Sequence, residues 1–289
     1  MTQRQGQQRQ DQQQRQSSRQ SAQRKGKTPL ERLVPFRGGG FSPQPKRWVG
    51  TMVFVALIVL TELLTRYGVI SSLTLPRPSA VFETLVSLVQ SGLLFQHLLP
   101  SLTRLLIGSL IGITLGIHIG IFIGLFTWIR AGLVPVVAAI FPIPKIALLP
   151  LFVIWFGIDE GSKYALIALG TFTPTVVATY GAVDNVNRDL IRMGQSFSMK
   201  WSSIVRKIVL PGAMPGILSG LRISLAIAII LLVAAEMLGA EYGIGAYILE
   251  AGSLYDLERL FAGVTVLSIL GVLVSAVIGL LEQKLLRWR

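Results

Sequence analysis

Residues 104–126 read RLLIGSLIGITLGIHIGIFIGLF, a run with no acid and no base after Arg104 other than His118. An uncharged apolar stretch of this length matches the roughly 20 residues needed to cross a hydrocarbon core of about 30 Å. Gly108, Gly112, Gly116, Gly120 and Gly124 recur at every fourth position. A four-residue step advances about 400° around a helix, so the stripe drifts only about 40° per step. Small residues at that spacing let backbones approach closely, which predicts a helix-packing face inside a membrane.

Working outward, the same window length gives six spans, near 48–67, 100–126, 131–156, 163–183, 212–237 and 259–281. A short amphipathic helix is expected over 81–95, entered through the stiff turn Leu75-Pro76-Arg77-Pro78-Ser79. The composition agrees. Of 289 residues, 52% are hydrophobic and only 14% charged, where a soluble domain carries about 25% charged residues. With a mean hydropathy of +0.62, an ordinary soluble enzyme is excluded. The expected fold class is all-α, a polytopic membrane protein with six transmembrane helices.

The formal net charge of +13 would suggest a nucleic-acid binder if it were spread over a fold. It is not. Residues 1–47 hold 11 Lys and Arg against Asp11 and Glu31, and 11 of the first 23 residues are Gln. Such a segment buries too little apolar surface to offset its ordering entropy, so a disordered Gln/Arg-rich cytoplasmic tail is expected over 1–47. It lacks the apolar stretch and cleavage site of a signal peptide. No specific nucleic-acid partner is expected. The remaining charge is distributed by side. Arg130, Arg188, Arg192, Lys200, Arg206, Lys207, Lys284, Arg287 and Arg289 fall on the side of the tail, and Asp159, Glu160, Glu241, Glu250, Asp256 and Glu258 fall on the other. The positive-inside rule then puts both termini in the cytoplasm.

Few ionisable residues lie within the spans. Arg104, Lys145, Arg222 and Glu236 are the candidates for a translocation pathway, since a charge at bilayer depth is tolerated chiefly against protein or water. The three bases would favour an anion, and Glu236 could be a gate or a helix-end anchor. The run Phe141-Pro142-Ile143-Pro144-Lys145 breaks the third span, and broken helix at that depth belongs beside a cavity. Without cysteine, thiol chemistry and Cys-bound metals are excluded, and His97 and His118 are too far apart to read as a metal site.

Between spans four and five, residues 187–207 alternate charge with Leu190, Ile191, Phe197, Trp201, Ile204 and Val205 at helical spacing. An amphipathic helix ending at Leu210-Pro211 is expected, lying either on lipid or in a groove of a soluble partner. The stretch 192–211 resembles the EAA loop of ABC-importer permeases, whose pattern runs Glu-Ala-Ala, three residues, Gly, nine residues, then Ile-x-Leu-Pro. Ile208-Val209-Leu210-Pro211 matches the end, while Arg192, Met193 and Gly194 replace Glu-Ala-Ala and Ser198 replaces the glycine. Leu75 to Ser79, Ile154-Trp155-Phe156-Gly157-Ile158, Gly220-Leu221-Arg222-Ile223, Val233-Ala234-Ala235-Glu236-Met237 and Gly243-Ile244-Gly245 resemble the nitrate/sulfonate/taurine/bicarbonate subfamily.

The resemblance covers about residues 48–285 and implies a type I (MetI-like) transmembrane domain over 48–289, with a coupling loop at about 184–211. It implies the permease subunit of an ATP-driven importer for a small, anionic solute, with an aliphatic sulfonate or taurine favoured over nitrate or bicarbonate. The chain would not be an enzyme and would hold no cofactor. ATP would be bound by separate ATPase subunits, and a periplasmic or lipid-anchored binding protein would deliver solute to a pair of permease copies in the cell inner membrane. Arg192, Met193, Gly194, Ser198, Ile208, Leu210 and Pro211 would carry the ATPase contact. The sequence around Gly26-Lys27-Thr28 lacks the first glycine of a phosphate-binding loop and the preceding strand, in keeping with that division of labour. The alternatives are an ion-coupled secondary transporter or channel, which would show inverted repeats and mid-membrane acids, and a membrane scaffold recruiting nucleic acid through its tail.

Overall fold

In a computed structural model, residues 47–287 are described, and all their regular structure is helical. The tail expectation over 1–47 therefore lies almost wholly outside the described residues, as do Trp288 and Arg289. Chain contacts divide the molecule after Val59. The described part of the first unit is the beginning of α1 (Arg47–Arg66), whose apolar side chains are exposed. A predominantly apolar helix with bare sides is what lipid, rather than water, accommodates.

The second unit begins with the rest of α1 and continues through α2 (Pro78–Gln90), α3 (Leu93–Leu125) and α4 (Thr127–Ile140). A 3-10 turn (Lys145–Leu148) leads into α5 (Leu149–Phe156), followed by α6 (Glu160–Asp184) and α7 (Arg188–Ser196). Then come α8 (Trp201–Ile204), a π-helical turn (Val205–Val209), α9 (Leu210–Gly239), α10 (Ile244–Ser253) and α11 (Leu257–Leu285). Five helical stretches are long and apolar enough to span a bilayer. The sixth is the pair Thr127–Ile140 and Lys145–Phe156, bent by 90° at the Pro142-Ile143-Pro144 break.

The amphipathic helix expected over 81–95 instead spans Pro78–Gln90, with Pro78 opening it and the Ser91-Gly92 turn ending it, and three further boundaries differ from expectation. The second span starts at Leu93 rather than near residue 100, and Pro100 sits inside the helix. Gly92, at φ +76°, makes the reversal between α2 and α3, a conformation that costs glycine little. The first turns of α3 are held by tertiary bonds from His97 and Ser101 described below. The loop helix does not run unbroken from 187 and does not end at Leu210-Pro211. It stops at Ser196, turns through Phe197–Lys200, and from Trp201 continues into α9 as one stretch to Gly239. Pro211 supplies no amide for the carbonyl four residues earlier, and the π-turn lies immediately before it.

The centre of the unit is the parallel pair α3 and α6. An ideal Cβ on Gly108 would lie 2.7 Å from Ile167 Cβ, on Gly116 2.8 Å from Thr175 Cβ, on Gly120 2.5 Å from Thr179 Cβ and on Gly124 2.7 Å from Val183 Cβ. At Gly112 it would overlap the Ala168 carbonyl and the Thr171 hydroxyl. The four-residue stripe thus meets every fourth residue of α6, with all five glycines against its backbone or β-branched side chains. On the other side of α6, Leu231, Leu232 and Ala228 of α9 close a core with Leu105, Leu166 and Phe152.

Candidate functional site: a loop groove and a buried ionic cluster

The 184–211 segment forms a folded hairpin rather than a loose loop. Asn187 caps α7, its Oδ1 accepting from the Asp189 amide at 2.8 Å. At the other end, the Met199 amide donates to the Gly194 carbonyl at 3.1 Å and the Ser198 amide to Gln195 at 2.9 Å. This is a helix C-terminal motif that needs a left-handed residue, and Ser198 supplies it at φ +53°. The glycine expected at this point in the loop pattern is thereby explained by backbone conformation. Gly194 is buried, and a Cβ there would stand 3.0 Å from Ile208 Cδ1 and 3.3 Å from Ile204 Cγ1. Without a side chain at 194, α7 lies directly on the π-turn.

That close approach leaves a groove of about 520 Å³ walled by Leu190, Met193, Phe197, Met199, Ile208 and Pro211. Met193, Phe197 and Trp201 are exposed around it. Of the residues marked out by the loop pattern, Met193, Gly194, Ile208 and Pro211 share this groove. Arg192 instead points to solvent, with Asp189 at 3.5 Å, and Leu210 is half-buried at the start of α9.

The four intramembrane candidates do not converge on one place. Arg104 and Glu236 meet directly, Nη1 to Oε1 at 2.8 Å, both buried. Arg104 also forks onto Glu160, Nε to Oε2 at 2.7 Å and Nη2 to Oε1 at 2.6 Å, and Nη1 reaches the Tyr242 carbonyl at 2.6 Å. A planar guanidinium suits such bidentate pairing. Glu236 accepts further from the Ser101 hydroxyl at 2.7 Å and the Gly245 amide at 2.8 Å. Ser101 Oγ in turn accepts from the Ile244 amide at 2.9 Å, and His97 Nδ1 lies 3.0 Å from the Gly243 carbonyl. Gly243 holds φ +153°, and an added Cβ would sit 2.7 Å from both Glu236 carboxylate oxygens. The cluster therefore ties α3, α6, α9 and the α9–α10 turn together, with each buried charge answered. The ring of Tyr247 of α10 lies 5.3 Å from that of His97, tilted by 57°, and burial pushes its phenol pKa up.

Lys145 and Arg222 have other partners. Lys145 Nζ caps the carbonyls of Ile140 and Phe141 where α4 ends, the favourable position for a cation at a helix C-terminus. Arg222, half exposed, pairs with Glu282 of α11 at 3.1 Å. Sequence reasoning left out Glu160, Lys163, His97 and Ser101. Glu160 and Lys163 stand one helical turn apart, which is a signal, but nothing in the sequence joins them to residues more than fifty positions away.

Residues 108–287 match the family described as binding-protein-dependent transport system inner membrane component. The chain belongs to that family. A putative aliphatic sulfonates transport permease protein of Bacillus subtilis is 37% identical over 83% of this chain and 87% of its own length. The taurine transport system permease protein of Escherichia coli is 35% identical, covering 84% and 92%. Inward-facing MetNI methionine ABC transporter superposes with a TM-score of 0.59 at 20% identity, over 67% of this chain and 96% of that one, which bears on the fold alone. The protein is thus a multi-pass membrane permease subunit of an ABC importer with a MetI-type fold. ATP hydrolysis resides on a separate subunit, and permeases of this type work with ATPase and binding-protein partners.

Proposed function

We propose that this permease imports a small organosulfonate, as one of two identical copies flanking the pathway, with both termini and the 184–211 hairpin on the cytoplasmic side. The observation that carries the hairpin's role is the apolar groove at Gly194, where Met193, Phe197 and Ile208 offer a firm socket for an ATPase subunit. Force from ATP binding needs a rigid lever. Here α8, the π-turn and α9 form one helical stretch from the hairpin into the membrane, so displacement of the groove reaches Glu236 without an intervening loop. The charge asymmetry along the sequence supports the cytoplasmic placement. Sulfonate is favoured because the permeases named for aliphatic sulfonates and taurine match at 37% and 35% identity over most of the chain. Switching between two cavity orientations, each with its own affinity for solute, makes such a device a transporter rather than a leak.

The substrate is tested by expressing the permease with its ATPase and binding protein in a bacterium lacking sulfonate uptake and supplying sulfonates as the sulfur source. Growth on ethanesulfonate or taurine is expected. Growth restored by an unrelated solute, with none on sulfonates, would overturn the substrate assignment.

A further inference from the structure

Lys163 is a buried cation that the loop groove and the Arg104–Glu236 contact leave without a task. It is only 4% exposed, on the first turn of α6. Its Nζ lies 3.2 Å from the Ile158 carbonyl and 3.4 Å from Glu160 Oε1. Both are loose beside the 2.6 and 2.7 Å bonds between Arg104 and the same carboxylate. An ammonium carries three donors, and the third has no protein acceptor among the described residues.

Beside it lies a cavity of about 320 Å³, bounded by α5, the start of α6 and the end of α9. Leu149, Val153, Ile154 and Leu238 give it apolar walls, and Ser162 and Lys163 are its polar lining. Ile158, whose carbonyl takes the ammonium, lines it as well. The volume is at the lower end of the range for small-molecule sites, about 300–1,000 Å³. One cation set into an otherwise apolar wall is complementary to a solute with an anionic head and a hydrocarbon tail.

We propose that this cavity is a binding station for the transported solute, in which Lys163 holds the sulfonate head and the α5 and α9 walls hold its alkyl chain. The inference rests on the sulfonate assignment above and adds the site and an expected dependence of uptake on chain length. A sulfonate oxygen arriving at Nζ accepts from the donor left over, while Glu160 keeps its contact to Lys163 and its two short bonds to Arg104. No carboxylate is left bare, so binding avoids the penalty of an unpaired buried charge.

The test uses the whole transporter, permease with ATPase and binding protein, in phosphatidylcholine vesicles, which contain no anionic lipid to compete for the cation. Uptake of ethanesulfonate and octanesulfonate is compared for the wild type, Lys163→Met, Lys163→Arg and Gly239→Val. At Gly239, which lines the cavity, an added Cβ would stand 3.7 Å from Ile158 Cγ2, an ordinary contact, and the methyls of a valine would extend from there. Loss of the charged bond in Lys163→Met is expected to lower uptake of both sulfonates about tenfold or more, with Lys163→Arg within about threefold of wild type. Gly239→Val is expected to lower the octanesulfonate to ethanesulfonate ratio several-fold. If Lys163→Met fails to assemble, the Gly239→Val ratio decides by itself. Uptake by Lys163→Met within about twofold of wild type, or an unchanged ratio in Gly239→Val, would overturn the station. Wild type importing no sulfonate would instead refute the substrate assignment and the station with it.

Discussion

Ser198 occupies a left-handed conformation at φ +53° with a side chain that pays a steric penalty there. Replacing it with glycine removes that penalty and keeps the hydrogen bonds of the turn. Ser198→Gly is expected to raise the thermal midpoint of the detergent-solubilised permease slightly, by up to about 1 kcal/mol of stability, whereas Ser198→Val lowers it. Unchanged midpoints for both would mean the turn relaxes. Arg104 is a larger matter, because it answers two carboxylates, one of them fully buried. Arg104→Ala leaves Glu236 with only Ser101 and the Gly245 amide, and loss of a buried partner costs about 3–5 kcal/mol. The double substitution Arg104→Met with Glu236→Gln is expected to recover part of that stability in the same thermal assay. No recovery would mean that the two groups act separately.

At the scale of elements, α3 and α6 touch through the glycine stripe, and α9 lies along the far side of α6. Gly112 is the tightest point of the first contact. Gly112→Val forces the two backbones apart, with an expected loss of about 1–3 kcal/mol or more and poor recovery of folded protein. Valine at Gly181, where an added Cβ meets nothing within 4 Å, is the matched control and should be tolerated. The glycine repeat stood out in the sequence as a face for close helix approach, but its partner, α6, is a product of the fold. The broken third span was legible too, because Pro142 and Pro144, two residues apart, remove neighbouring donors and crowd the same preceding turn. The hairpin was legible only as an amphipathic pattern. Its division at Ser198 depends on a backbone conformation that serine gives no warning of, and the continuity of Trp201–Gly239 depends on a π-turn that spares a proline. The ionic cluster was half legible. Arg104 and Glu236 stood out as charges in apolar spans, but the bonds of Arg104 to Glu160 and Glu236, 56 and 132 positions away along the chain, are a product of helix packing.

Across the whole molecule, the hairpin groove and the buried cluster lie toward opposite ends of the helical stretch Trp201–Gly239. One end presents exposed Met193, Phe197 and Trp201, and the other fixes Glu236 to α3 and to the α9–α10 turn. In the proposed coupling, a push on the first end loads the second. The central claim is that ATP hydrolysis acts on the pathway through the socket at Gly194. An added Cβ there would press on Ile208 and Ile204 at 3.0 and 3.3 Å, and a glutamate would carry charge into the apolar groove. The most direct measurement is ATP hydrolysis and sulfonate uptake by the reconstituted transporter carrying Gly194→Glu, with subunit assembly checked by co-purification. The account predicts an assembled complex in which stimulation of hydrolysis by the loaded binding protein is lost and uptake falls about tenfold or more. Stimulated hydrolysis and uptake both at wild-type levels would contradict it.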